Sequence, residues 1–248
     1  MIALKILGCV LAIIVGVFLL LCLITIAASF LAAPGRTYEK DSRFYRFLLN
    51  FWIAFAMWAG RIHIQTSGLS CVPKTGPFLL VGNHLSAFDP IIALHVLRDR
   101  KLSFISKEEN FHVPFFGRIM RKCCFLPIDR QDPREAIHTV NQAADLLRRH
   151  EVSMGVYPEG TRNTTNEPLL PFHNGVIRIA RKADVPILVV TAQGTHDIQH
   201  NFPFKKSRVS LHFLALIPTE KIRTTNTADL CQEIRTLMEK DLRSDMQR

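Results

Sequence analysis

The sequence predicts an α/β fold, a mixed, largely parallel twisted sheet flanked by helices, carrying an N-terminal membrane-associated helical hairpin. Three observations lead there. Short apolar runs alternate with segments of helical periodicity from about residue 70 onward, the pattern of strands joined by crossover helices. Ahead of them, Ile6 to Ala33 contains no charged residue over 28 positions. The 248 residues are 48% hydrophobic, which excludes disorder and allows one sizeable core with an appendage.

The first element is the uncharged run. As a helix it measures about 42 Å, against a bilayer hydrocarbon core of roughly 30 Å. Lys5 before it and Leu31-Ala32-Ala33 near its end resemble a signal peptide, but the run is about twice the usual apolar region of one, so an uncleaved anchor is expected. Arg36, Lys40, Arg43 and Arg46 follow it while only Lys5 precedes it. That bias places the catalytic domain on the cytoplasmic face, and the acidic neighbours Glu39 and Asp41 count little in the rule. The second element, Phe47 to Gly60, holds both tryptophans, Trp52 and Trp58, is too short to span, and reads as interfacial. Joined near Pro34-Gly35, the two form a hairpin that either crosses the bilayer or lies in one leaflet. The chain accordingly divides into a membrane hairpin, 1–64, and an α/β domain, 65–248.

Strands are expected at Phe78 to Val81, Leu102 to Ile105, Cys123 to Pro127, Met154 to Tyr157, Ile187 to Ala192 and Val209 to Leu216. The clearest helix runs from Asp132 to His150, where Ile137, Val140, Ala144 and Leu147 recur at helical spacing behind an Asp-Pro start. Others begin near Pro90, Pro114 and Asn174, and an amphipathic helix covers Ala228 to Leu242. The six cysteines show no metal-type spacing and fit a reducing compartment and core packing. A formal charge of +10 points to an anionic partner. The basic groups Arg118-Arg121-Lys122, Arg178-Arg181-Lys182 and Lys205-Lys206-Arg208 carry no nucleic-acid motif, and each reads as a solvated face, so the membrane segment favours a bilayer over nucleic acid.

Chemistry in such sheets gathers beyond the carboxyl ends of strands. His84 follows directly on the first expected strand, with Asp89 five residues on. An imidazole titrates near neutrality, and a carboxylate on its second nitrogen fixes the tautomer, which suits abstraction of a hydroxyl proton. Asp89-Pro90 also reads as a helix N-cap, and both roles are compatible. After the fourth expected strand come Pro158, Glu159, Gly160, Thr161 and Arg162, a turn in which Arg162 offers a fork for phosphate while Glu159 either holds that fork or meets a substrate hydroxyl. Lys107 and Arg130 each lie just past a strand and are candidate phosphate cations. Val185-Pro186-Ile187 leads a buried strand to Gly194-Thr195-His196, with the proline serving strand entry.

Asn83-His84-x4-Asp89, the Lys107 and Arg130 region, Tyr157-Pro158-Glu159-Gly160-Thr161-Arg162 and Val185-Pro186-Ile187 resemble, in order, the four motif blocks of the glycerolipid acyltransferase family, most closely its 1-acylglycerol-3-phosphate acyltransferase branch. The resemblance covers roughly residues 70 to 220. Tyr157 stands where that family commonly has phenylalanine and Asn163 where serine often sits, and neither is expected to touch the chemistry. The resemblance implies transfer of a fatty acyl group from acyl-CoA or acyl carrier protein to the sn-2 hydroxyl of lysophosphatidic acid. His84 is then general base, Asp89 its orienting partner, and Lys107, Arg130, Glu159, Gly160, Thr161 and Arg162 bind substrate, without cofactor or metal. Two other readings stay open from the residues alone: a metal-dependent phosphohydrolase with His84, Asp89 and Glu159 as ligands, and a non-catalytic membrane-anchored lipid binder.

Overall fold

The computed structural model describes residues 1–33, 35–129 and 132–245. Among them the elements are α1 (Ile2–Leu31), α2 (Arg43–Ala59), β1 (Ile62–Ser67), β2 (Leu79–Gly82), α3 (Asp89–Val96), β3 (Leu102–Lys107), α4 (Phe116–Lys122) and β4 (Leu126–Ile128), followed by α5 (Pro133–Arg148), β5 (Ser153–Val156), α6 (Gly175–Ala183), β6 (Ile187–Gln193), α7 (Ile198–Asn201), β7 (Ser207–Ile217), α8 (Thr219–Thr224) and α9 (Thr227–Asp245). The six expected strands are all present. A further one, β1, lies at an edge with most of its side chains exposed, so no strong apolar signal marks it, and it runs across position 64/65.

The sheet order is β1-β7-β6-β2-β5-β3-β4. Strands β6, β2, β5, β3 and β4 are mutually parallel, whereas β7 is antiparallel to β6 and parallel to β1. The carboxyl ends of the five parallel strands therefore share one rim with the amino ends of β1 and β7. Strand β2 sits inside this sheet between β5 and β6. The chain leaves β2 toward β3 and later returns to β6 on the opposite side, and such a reversal of direction opens a crevice at the strand ends.

Side-chain alternation along the strands feeds two cores. Phe78 and Leu80 pack in one layer with α2, α3 and α4, while Leu79 and Val81 pack in the other with α5, α6 and α9. Asp132 caps α5 as its sequence implies, accepting from the Arg134 and Glu135 amides, with Pro133 in the first turn. Cys123 and Cys124 are free and buried, and that burial pushes both thiols up to about 12.

Helix α2 departs from the interfacial expectation. Tyr45, Leu48, Leu49, Ile53 and Met57, at helical spacing, are buried in the sheet core. Trp52 turns toward α1, where its Nε1 donates to Thr25 Oγ1 at 2.9 Å, and of the two tryptophans only Trp58 is broadly exposed. Arg46, counted in sequence as a juxtamembrane surface charge, is also interior. Its guanidinium pairs with Asp41 at 2.6 Å and donates to the Leu102 carbonyl at 2.5 Å, Ser103 Oγ at 2.9 Å and the Cys123 carbonyl at 2.9 Å. A five-donor fork so placed satisfies otherwise open acceptors at the start of β3. Helices α1 and α2 form the expected antiparallel hairpin, with Tyr45 Oη donating to the Ala28 carbonyl and Phe18 meeting Phe55 at 5.3 Å between ring centres. Helix α1 is long and apolar enough to cross a membrane.

Candidate active site

Adjacency of β5, β2 and β6 brings three loops together, the ones after Gly82, Val156 and Gln193. Asn83 fastens two of the strands: its Nδ2 donates to the Ala192 carbonyl at 2.9 Å and its Oδ1 accepts from the Ala192 amide at 2.7 Å. The next residue, His84, is held from several sides. Its amide donates to Glu159 Oε1 at 2.7 Å, its carbonyl accepts from the Asn163 amide at 2.7 Å, and its Nδ1 meets Asp89 Oδ2 at 2.8 Å. One face of the imidazole stacks on Tyr157, with ring centres 4.4 Å apart and planes 9° from parallel. The ring is 19% exposed, and among the described residues Nε2 has no partner.

Asp89 is 1% exposed. Besides His84, its Oδ2 accepts from the Leu85 amide at 2.6 Å and the Ser86 amide at 2.7 Å, and its Oδ1 accepts from Thr195 Oγ1. The N-cap reading is thereby corrected. Asp89 is itself the first residue of α3, Phe88 occupies the cap without a side-chain bond, and the carboxylate turns back onto the preceding loop. Several hydrogen bonds to the charged form stabilise a buried carboxylate, so Asp89 stays an anion facing the imidazole. Thr195 is fully buried, and its carbonyl also accepts from Ser86 Oγ at 3.1 Å.

Glu159 is 3% exposed and spends both oxygens on backbone, accepting from His84 at 2.7 Å and from Leu170 at 2.9 Å. It has no bond to Arg162. Burial pushes its carboxyl above the usual range, opposed by those two amides. Glu159 thus ties the His84 loop to the segment leading into α6. Among the described residues no three His, Cys, Asp or Glu side chains are grouped to hold a metal. Gly160 adopts φ 71°, the left-handed region its turn requires, and its amide donates to the Tyr157 carbonyl at 3.0 Å. Thr161 and Arg162 follow, exposed on the rim, and Lys107 is exposed at the end of β3 one strand beyond. Arg130 lies outside the described residues.

Tyr157 does touch the site, contrary to the sequence expectation, as does the Asn163 backbone. Burial, reinforced by the Asp89 charge, pushes the Tyr157 phenol well up, so it stacks as a neutral ring. Tyr157 stacks in turn on Phe104, ring centres 5.5 Å apart. Phe104 lies so close over Gly155 that a Cβ there would come 2.2 Å from its ring. Sequence reading missed the roles of Asn83, Thr195, Tyr157 and Gly155. All four act across strand neighbours whose order no local pattern encodes, although Asn83 and Thr195 both stand at strand ends beside motif residues.

A family model described as Acyltransferase matches residues 63–193. The 1-acyl-sn-glycerol-3-phosphate acyltransferase alpha of Bos taurus is 27% identical over 221 residues, covering 88% of this chain and 75% of the relative. The 1-acyl-sn-glycerol-3-phosphate acyltransferase of Haemophilus influenzae is 28% identical over 162 residues, 65% of this chain and 67% of the relative. Among solved structures, that of the 1-acyl-sn-glycerophosphate (LPA) acyltransferase PlsC from Thermotoga maritima superimposes with a TM-score of 0.68 at 23% identity, covering 82% of each chain, and so shares the fold.

Proposed function

The chain belongs to the acyltransferase family, and on that premise we propose that it moves a fatty acyl group from an acyl thioester, on coenzyme A or acyl carrier protein, to the sn-2 hydroxyl of 1-acyl-sn-glycerol-3-phosphate, lysophosphatidic acid, giving phosphatidic acid. One observation carries the reading: His84 Nδ1 is held by buried Asp89 at 2.8 Å while Nε2 is free at the strand-end rim. The names of the bovine and bacterial relatives supply the acceptor.

An alcohol attacks a thioester slowly until its proton is removed in the transition state. His84 Nε2 takes that proton as the hydroxyl oxygen bonds to the thioester carbonyl carbon, a step for which a positioned base supplies about 10²–10⁴-fold. Asp89 holds the imidazolium. As the tetrahedral intermediate collapses, the carbon–sulfur bond breaks and the imidazolium returns the proton to the departing thiolate, so no acyl-enzyme forms. Lys107, Arg130 and Arg162 bind the acceptor phosphate, with Arg162 offering the planar fork. Glu159 and Gly160 shape the turn that presents Thr161 and Arg162. Because the Gly160 amide is engaged within the turn, the amides of Thr161 and Arg162 are the donors left for the oxyanion. Residues 1–64 hold the enzyme at the bilayer, and the domain from 65 onward works at its cytoplasmic face.

Membranes carrying the chain, assayed against a panel of lysolipids with both coenzyme A and carrier-protein donors, are expected to form phosphatidic acid from lysophosphatidic acid. Transfer only to another lysolipid would overturn the acceptor assignment. Transfer to none would overturn the reaction.

A further inference from the structure

We infer that the connection from β6 to β7 is a second membrane contact, binding the anionic bilayer surface around the root of α1 and turning the His84 rim toward the lipid. Phe204 is 84% exposed, Phe202 48% and Trp58 76%, unusual values for aromatic rings without a purpose at the surface. These rings come from segments far apart in sequence and are gathered deliberately. Phe202 covers the end of α2 so closely that a Cβ on Gly60 would lie 3.0 Å from its ring, and Arg61 donates to the Phe204 carbonyl at 3.1 Å. Lys205 and Lys206 follow, exposed and without a carboxylate partner among the described residues. Aromatic rings beside cations match the headgroup layer of an anionic bilayer, where rings sit at the interface and lysines meet lipid phosphate.

Two geometric facts favour a bilayer as the occupant. Helix α1 runs antiparallel to α2 and passes Phe55 at Phe18; residues 1–17 continue past the end of α2 fully exposed, a free length of about 24 Å for Ile2 to Val17. The patch therefore surrounds the point where α1 leaves the body. It also lies on the catalytic rim: Ser207 of β7 pairs with Ile62 of β1, Ser210 with Gln193 at the end of β6, and β6 runs parallel to β2, which ends at Gly82 just before His84. A bilayer that takes up α1 meets this rim, whichever lysolipid is the acceptor.

The test places a single tryptophan at the tip, Phe204→Trp in a Trp52→Phe, Trp58→Phe background, in the full-length chain reconstituted into phosphatidylcholine vesicles with and without phosphatidylglycerol. Flotation with the vesicles confirms that α1 still anchors each variant. The expected result is a blue-shifted emission of which brominated acyl chains remove more than half, stronger with phosphatidylglycerol. Adding Lys205→Glu and Lys206→Glu should lower the docked fraction by about fivefold for each lysine. Emission that stays water-like and iodide-quenchable in both vesicles overturns the inference. A blue shift that follows protein concentration and ignores brominated lipid also overturns it, because the patch would then bind a second copy of the chain.

Discussion

Asp89 makes its hydrogen bonds through one buried carboxylate, and they divide its labour: Oδ2 binds the imidazole and two loop amides, while Oδ1 is held by Thr195. Asp89→Asn puts an amide N–H₂ among those donors, so it should lower turnover by about 10²–10⁴-fold with little change in KM; steady-state kinetics decide, and a KM effect alone would contradict the orienting role. Thr195→Val keeps the shape but leaves Oδ1 short of a buried donor. It should cost about 1–3 kcal/mol in urea unfolding and depress kcat, while Thr195→Ser restores both. A valine variant indistinguishable from the native chain would show that the hydroxyl does nothing for Asp89. The sequence made the His84-Asp89 spacing legible because a five-residue offset is local. It left the direction of the carboxylate ambiguous, since the same Asp-Pro pair can cap the helix ahead or the loop behind. Thr195 was illegible for another reason: its link to Asp89 exists only once β6 lies beside β2.

The elements hold His84 through packing as well as hydrogen bonds. Strand β5 has a glycine at 155 so that Phe104 can lie across it, and Phe104 supports the Tyr157 ring against which His84 stacks. Gly155→Ala drives a methyl into the Phe104 ring. It should destabilise the protein by about 1–3 kcal/mol and lower kcat together, as measured by thermal unfolding and turnover on the same sample; unfolding alone, with native turnover in the folded fraction, would deny the stack a part in activity. Helix α2 is fastened to β3 by Arg46. Arg46→Met strands Asp41 and several acceptors, so a loss of about 3–5 kcal/mol is expected in chemical denaturation. A near-neutral result would mean that water takes over the guanidinium's partners. Most elements could be located from apolar runs and helix starts. What α2 packs against could not, because an amphipathic helix with aromatic residues suits a bilayer interface and a sheet face equally well, and only the third dimension shows Tyr45, Leu48 and Met57 meeting the core.

At the scale of the molecule, strand order explains why residues scattered from Asn83 to Thr195 meet. Strands β5, β2 and β6 are neighbours, so the loops after them converge at one rim, which β1 and β7 complete with their amino ends. The fold class and the membrane helix were legible in the sequence, and the motif order pointed to the family that the match over residues 63–193 establishes. The antiparallel placement of β7 and the edge strand β1 were not, because hydropathy carries no strand direction. All of this converges on one imidazole with its inner nitrogen occupied and its outer nitrogen open to the rim. The most direct test is the kcat of purified, membrane-reconstituted His84→Ala for acyl transfer to lysophosphatidic acid. The account predicts a loss of about 10²–10⁴-fold or more, with unfolding temperature and vesicle association unchanged. Turnover close to that of the native chain would contradict it.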